Sequence, residues 1–230
     1  MTGKPLLAIE TSTSEGSVAV WLDGGIVFEE SFSSERGHNS LLFAPLGRAL
    51  ETMGARAPER VLAGTGPGSY AGTRVGIAAA QGVAIARECG VTGLPSLLAT
   101  SEARSGRDSL AVGDARRGAW WTAKVGADGR IEGPEIRDAE ALLARVGEAV
   151  SAGQAVVAFD PVPRLGLPAE LADRLHPARP SARLLVEAWL ALPEAERRSH
   201  AARPAEPCYI RPPHITQAKK GHPLFRKRES

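Results

Sequence analysis

Two apolar runs close on a tight turn near the start of the chain, and this rules out a fold assembled only from strand–helix–strand units. Ser17-Val-Ala-Val-Trp-Leu22 and Ile26-Val-Phe28, the latter running on to Phe32, flank Asp23-Gly24-Gly25. An Asp-Gly turn between apolar runs is a strong local signal for a β-hairpin. Leu6-Leu-Ala-Ile9 before them has the composition of a short buried strand, so the chain is expected to open as an antiparallel meander. Alternating elements follow. His38 to Met53 reads as a helix with Leu42, Leu46, Ala49, Leu50 and Met53 on one face. Asn39 or Ser40 can cap it, Gly54 can stop it, and Pro45 fits only in its first turn or at a kink. Arg60-Val-Leu-Ala63 reads as a strand, a second helix spans Thr73 to Glu88 with Gly90 as its stop, and Val91 to Leu94 is again a strand.

The second half repeats this mixture more weakly. Leu110-Ala-Val112 and Ala119 to Val125 read as strands, with a turn at Ala127-Asp-Gly129. Asp138 to Ala152 reads as a helix capped by Asp138. Ala155 to Phe159 is a buried-type strand, and Leu184 to Leu192 is a short helix ended by Pro193. No internal repeat is convincing at the level of residues. The pattern predicts a mixed α/β fold in two lobes: an N-terminal lobe over 1–100, a smaller C-terminal lobe over 101–203, and a basic extended tail over 204–230.

Composition narrows the class. The chain is 43% apolar and 23% charged, as ordinary globular domains are. No apolar run approaches the ~20 residues that span a bilayer. Met1-Thr-Gly-Lys-Pro-Leu lacks the pattern of a secretory signal. Cys89 and Cys208 are far apart with no Cys-x-x-Cys pair, which suits a reducing compartment and supplies no zinc set. A cytoplasmic location away from membranes is expected. The net charge of +2 hides an asymmetry, since residues 197–230 hold nine Lys or Arg against Glu206 and Glu229. Such an arm either meets an anionic partner, nucleic acid first, or is a solvated tail kept soluble by charge.

Gly66-Pro-Gly-Ser-Tyr-Ala71 follows a strand, opens a helix and has Glu88 further on, the outline of a dinucleotide-binding turn. Two features speak against that chemistry. Pro67 has no N–H to offer a phosphate, and a meander precedes the turn. No Gly-Lys-Ser/Thr follows, so it is not a Walker loop either. A glycine turn at a helix N-terminus is still a candidate anion site. The helix after it is apolar nearly all round, with Val75, Ala79, Gly82 and Ala86 on one side and Ile77, Ala80, Ala84 and Ile85 on another. Small residues recur four apart at Gly72/Gly76, Ala78/Gly82 and Ala80/Ala84. Such a helix must be covered on more than one face, either wholly within the chain or by a second subunit.

Four segments together carry a resemblance. Leu7-Ala-Ile-Glu-Thr-Ser-Thr13 with Ser17-Val-Ala-Val20, Gly66-Pro-Gly-Ser-Tyr-Ala-Gly-Thr-Arg-Val-Gly-Ile77 with Gln81-Gly82, Asp114-Ala-Arg-Arg-Gly118 before a Trp pair, and Ala205-Glu-Pro-Cys-Tyr-Ile-Arg211 resemble the bacterial TsaB (YeaZ) family, in the family's order. The resemblance implies an actin-like fold of two ribonuclease-H-like lobes. It implies a non-catalytic part in making threonylcarbamoyladenosine next to the anticodon of tRNAs that read codons starting with A. It further implies docking onto a larger catalytic paralogue, TsaD, joined by a small ATPase, TsaE. On that reading tRNA is met through the complex, ATP or ADP and metal sit in the partner subunits, and the chain alone forms a homodimer.

The residues fit the absence of a centre of this chain's own. A metal held by two histidines needs them on one helix face, but around His38 the positions four away are Leu42 and Ser34, and His176, His200, His214 and His222 have no partner at ligand spacing. No nucleophile–base pair for peptide cleavage is legible. The expected partner interface comprises Leu42, Leu46, Met53, Val75, Ile77, Ala79, Gly82 and Val83. Glu10, Thr11, Gly66, Gly68 and Ser69 are candidate anion or nucleotide contacts, with Asp114 as a second carboxylate. Glu10 either remains from such a site or bonds local backbone. Lys219, Lys220, Arg226, Lys227 and Arg228 are candidate tRNA contacts. The alternative reading is an independent ATP-dependent transferase or kinase of the actin-like superfamily.

Overall fold

The computed structural model describes residues 3–33 and 41–211. The opening meander is present as β1 (Leu6–Glu10), β2 (Glu15–Leu22) and β3 (Gly25–Ser33). Leu22 faces Gly25 across a two-residue turn in which Asp23 and Gly24 have φ of 50° and 93°. This is the left-handed pair that matches the twist of a hairpin. Helix α1 (Phe43–Met53) follows, then β4 (Arg60–Gly64), α2 (Tyr70–Ala86) and β5 (Gly90–Leu94). Pro45 lies in the first turn of α1, where it removes no helical hydrogen bond. The expected helix start at His38 and its capping by Asn39 or Ser40 lie outside the described residues. Gly54 closes α1, its N–H shared between the carbonyls of Leu50 and Glu51.

After a 3-10 turn (Ser96–Ala99) comes a second sheet of β6 (Ser109–Asp114), β7 (Trp120–Val125), β8 (Ile131–Arg137), β9 (Ala155–Ala158) and β10 (Leu175–Pro177). Helices α3 (Ala139–Ser151) and α4 (Ala169–Ala172) lie among its strands, and α5 (Ala182–Ala191) and α6 (Glu194–Ala201) close the helical part. Asp138 caps α3 as expected, accepting from the Ala141 N–H at 2.8 Å. Strands β8 and β10 and helix α6 carry no clear sequence pattern. β8 holds Gly133 and Pro134, β10 has three residues, and α6 has no apolar face to bury.

The two sheets have the same order. The first runs β3-β2-β1-β4-β5 and the second β8-β7-β6-β9-β10, each a meander followed by two parallel strands. The duplication is one of topology, which explains why no residue repeat marks it. In the first sheet Leu7, Ile9, Val18, Val20, Val61 and Ala63 face α1 and α2, while Leu6, Ala8, Ala19 and Leu62 face α5. Central strands covered on both faces read as continuous apolar runs, and β1 is buried along its whole length.

Helix α5 corrects the expected lobe division at residue 203. Its Ala182, Leu185, Val186 and Trp189 pack on the first sheet, and its Ala188 joins the core of the second. Helix α6 then packs against β5. The chain therefore returns to the first lobe at residue 182, because α5 supplies the cover that the second face of that sheet requires.

Candidate functional site

Two places draw the singled-out residues together. The first is the end of β1. Glu10 is fully buried; its Oε1 accepts from the Ser12 N–H at 2.7 Å and its Oε2 from the Ser96 hydroxyl at 2.8 Å. Ser96 also accepts from the Gly66 N–H at 3.0 Å, and its own N–H donates to the Gly66 carbonyl at 2.9 Å. Burial pushes the Glu10 carboxyl above the usual carboxylate range, against the lowering effect of its hydrogen bonds. The glycine loop lies directly on this corner. A Cβ on Gly64 would overlap the Glu10 carboxylate, and one on Gly68 or Gly72 would overlap the carbonyl of Ser12 or Thr11. Ser69 N–H donates to the Ser12 carbonyl at 2.6 Å, and Ser69 Oγ caps α2 by accepting from Gly72.

Of the candidate anion contacts, Glu10, Thr11 and Gly66 are buried, Ser69 is half-buried and Gly68 is exposed. The Gly66 and Ser69 N–H groups are already engaged by protein oxygens. With the Ser69 cap, these contacts make the corner a clamp on the start of α2. Among the described residues no cluster of three or more His, Cys, Asp or Glu side chains could hold a metal ion.

The second place is a groove of about 520 Å³ between α1 and α2, lined by Phe43, Leu46, Val75, Ala78, Ala79, Gly82 and Val83. Phe43 is 58% exposed and Ile85, further along α2, is 80% exposed. The structure corrects the expected interface set. Leu42, Met53 and Ile77 are interior, packed in the core between the first sheet and its two helices. Leu46 and Val83, 5% and 7% exposed, form the groove floor. Only Val75, Ala79 and Gly82 of that set turn outward. Phe43, Ala78 and Ile85 belong to the outward face and were not among the expected residues. Arg74 and Gln81, seven apart and both exposed, mark the outward side of α2, a signal that the spacing of its apolar residues does not carry.

Gly82 has nothing within 4 Å of where a Cβ would stand, and the same holds for Gly47 on α1. Neither glycine is required by packing within the chain, although glycine in a helix interior costs ~1 kcal/mol relative to alanine. The basic residues Lys219, Lys220, Arg226, Lys227 and Arg228 lie outside the described residues.

The model of the family described as TsaD: tRNA N6-adenosine threonylcarbamoyltransferase matches residues 18–159. The chain belongs to that family. Within it, the likeness is to TsaB/YeaZ members. The tRNA threonylcarbamoyladenosine biosynthesis protein TsaB of Escherichia coli strain K12 is 33% identical over 129 residues, 54% of this chain and 55% of that protein. The chain thus aligns with about half the length of this curated relative. Two solved structures share the fold. An uncharacterized protein with similarity to peptidase YeaZ from Pseudomonas aeruginosa covers 91% of this chain and all of its own, at a TM-score of 0.66 and 22% identity. YeaZ from the same organism covers 90% of this chain and all of its own, at 0.63 and 19%. The paired sheets of identical order give this chain the actin-like architecture of two ribonuclease-H-like lobes. Among the described residues no helix is long and apolar enough to cross a membrane.

Proposed function

We propose that this chain works in tRNA threonylcarbamoyladenosine biosynthesis as a docking subunit without a catalytic centre, binding a larger homologous threonylcarbamoyltransferase through the outer faces of α1 and α2. The observation that carries this reading is the apolar groove between those helices, with exposed Phe43 in its lining, exposed Ile85 further along α2, and packing-free glycines on both helices. Covering a large apolar side chain is worth ~1.5–3 kcal/mol, and small residues on a helix let a second helix approach closely. The buried Glu10 corner supports the non-catalytic part, since its carboxylate is taken up by Ser12 and Ser96 in holding the glycine loop before α2. Family membership and the TsaB relative's printed role supply the reaction.

On this reading the complex forms in the cytoplasm, nucleotide and metal come with the partner subunits (the small ATPase among them), and tRNA is met through the assembly. The same groove makes the isolated chain a homodimer. Co-expression with the host's larger homologue, followed by size-exclusion chromatography with light scattering, tests it. A one-to-one heterodimer is expected from the native chain and a monomer from Ala78→Asp, with Leu190→Asp, remote on α5, behaving as native. Full-stoichiometry co-purification of Ala78→Asp would sink this surface as the docking site.

A further inference from the structure

Residues 204–211 form no helix or strand, yet they touch both lobes. Ala205 is buried in the first lobe's core beside Gly93. The Cys208 N–H donates to the Thr65 carbonyl at 2.8 Å, just past the end of β4. Ile210 packs on the core of the second sheet. Between these anchors the Tyr209 ring lies 5.4 Å from that of Tyr70, with the planes inclined by 35°. Tyr70 in turn carries Arg74, whose guanidinium stands 5.1 Å from the ring centre and donates to the Tyr70 hydroxyl at 3.0 Å. Tyr70 opens α2, and Val75, next to Arg74, lines the apolar groove.

The segment also fills the space between the lobes. Gly68, Tyr70 and Thr73 face Asp114, Arg116 and Asp160 across a pocket of only about 150 Å³, walled by residues 207–211. The second-lobe side is itself pinned. Asp114 Oδ1 accepts from the Arg116 N–H at 2.6 Å, and Asp160 Oδ2 accepts from the Asp114 N–H at 2.9 Å.

We propose that residues 204–211 are a strap that locks the two lobes together and holds the first turn of α2, so that lobe closure and the pose of α2 are one coupled equilibrium. The Tyr209–Tyr70–Arg74 stack is the link to α2, and Ile210 is the link to the second sheet. Tyr70 and Tyr209 are each about half exposed, so aromatic contact with few buried neighbours holds the strap, and it belongs to the low-stability end of the molecule. An element so placed opens before the central strands do.

Amide hydrogen exchange on the full chain tests the coupling without any partner, so its failure is distinguishable from failure of the docking reading. Tyr209→Ala is expected to speed exchange at least ~fivefold at the Ser69 and Thr73 amides and at Ala115 and Ala119 in the β6–β7 turn, with β1 and β4 unchanged. Ile210→Ala should act on the same two places from the other side, and Tyr209→Phe should behave as native. Faster exchange confined to 204–211, or reaching α2 without the β6–β7 turn, would overturn the proposal. If Tyr209→Ala also loosens β1 and β4, Tyr209→Leu, which keeps bulk but loses the ring stack, is read at the same amides and decides.

Discussion

The two lobes share a strand order and a carboxylate at the same place in it, and they treat that carboxylate in opposite ways. Glu10 ends β1 and Asp114 ends β6, each the first strand of its sheet. Each accepts the N–H two residues on, from Ser12 and from Arg116. There the likeness stops. Glu10 is sealed under the glycine loop, with the Ser96 hydroxyl on its second oxygen. Asp114 is only half-buried and takes the Arg116 guanidinium at 2.7 Å. The cause is the connection between the fourth and fifth strands. In the first lobe it is the glycine loop and the 17-residue α2, and in the second it holds a four-residue 3-10 turn (Val162–Leu165) and the four-residue α4. A long helix laid tightly on the sheet end closes the site beneath it and presents a new outer face. The architecture is common to both lobes, while accessibility is set by what crosses over it.

The largest expected effect tests which face of α2 does the sealing. Ile77→Asp would bury an unpaired charge in the first core and should cost enough, more than ~4 kcal/mol, to prevent folding. Ala78→Asp, one residue on and exposed, should shift the thermal midpoint little. Circular dichroism melts of the two variants check this, and equal losses would mean that α2 is not phased as described. Next, Glu10→Ala leaves the Ser12 N–H and the Ser96 hydroxyl without their buried acceptor and should destabilise by ~2–4 kcal/mol. Asp114→Ala, at the matching half-buried position, should cost ~1 kcal/mol or less in urea titrations. Similar costs at the two positions would erase the contrast between the lobes.

A pH series sharpens it further. Burial raises the Glu10 carboxyl, so over some range the folded chain holds a proton that the unfolded chain releases. Stability therefore falls as pH rises from ~4.3, the unfolded value, through the folded one. Glu10→Gln removes that contribution and should flatten the decline in denaturant midpoints measured across this range. A slope unchanged from the native chain would show that Glu10 is not its source. The smallest effect compares two helical glycines with open space around them, Gly82 on α2 and Gly147 on α3. Alanine at either should stabilise the isolated chain by up to ~1 kcal/mol. Only Gly82→Ala should weaken heterodimer formation in light scattering, and an equal effect from Gly147→Ala would remove the case for close helix approach at Gly82.

Much of the first lobe was legible because its signals are local. Asp23-Gly24 between apolar runs dictates the hairpin and the run Leu6 to Ile9 dictates a buried strand, while in the second lobe the same kind of local signal is Asp138 capping α3. The second lobe was less so, since β8 and β10 lack either length or alternation and gain their place only by pairing with β7 and β9. Residues 66–76 announced a tight glycine turn, but not that the turn faces inward. Gly68 and Gly72 are small because Ser12 and Thr11 carbonyls lie against them, a contact between segments almost sixty residues apart.

By itself the sequence determined the order of the elements with local signals, the two-lobed mixed class, the lack of paired histidines at ligand spacing, and a helix that had to be covered on more than one side. Tertiary structure alone decided that Ile77 turns inward and Ala78 outward, that Glu10 is sealed while Asp114 is not, that α5 returns to the first lobe, and that Tyr209 meets Tyr70 across the cleft. The reason is physical. Periodicity and turn chemistry act over a few residues and are written in adjacent positions, whereas burial and facing are properties of packed layers whose members lie far apart along the chain.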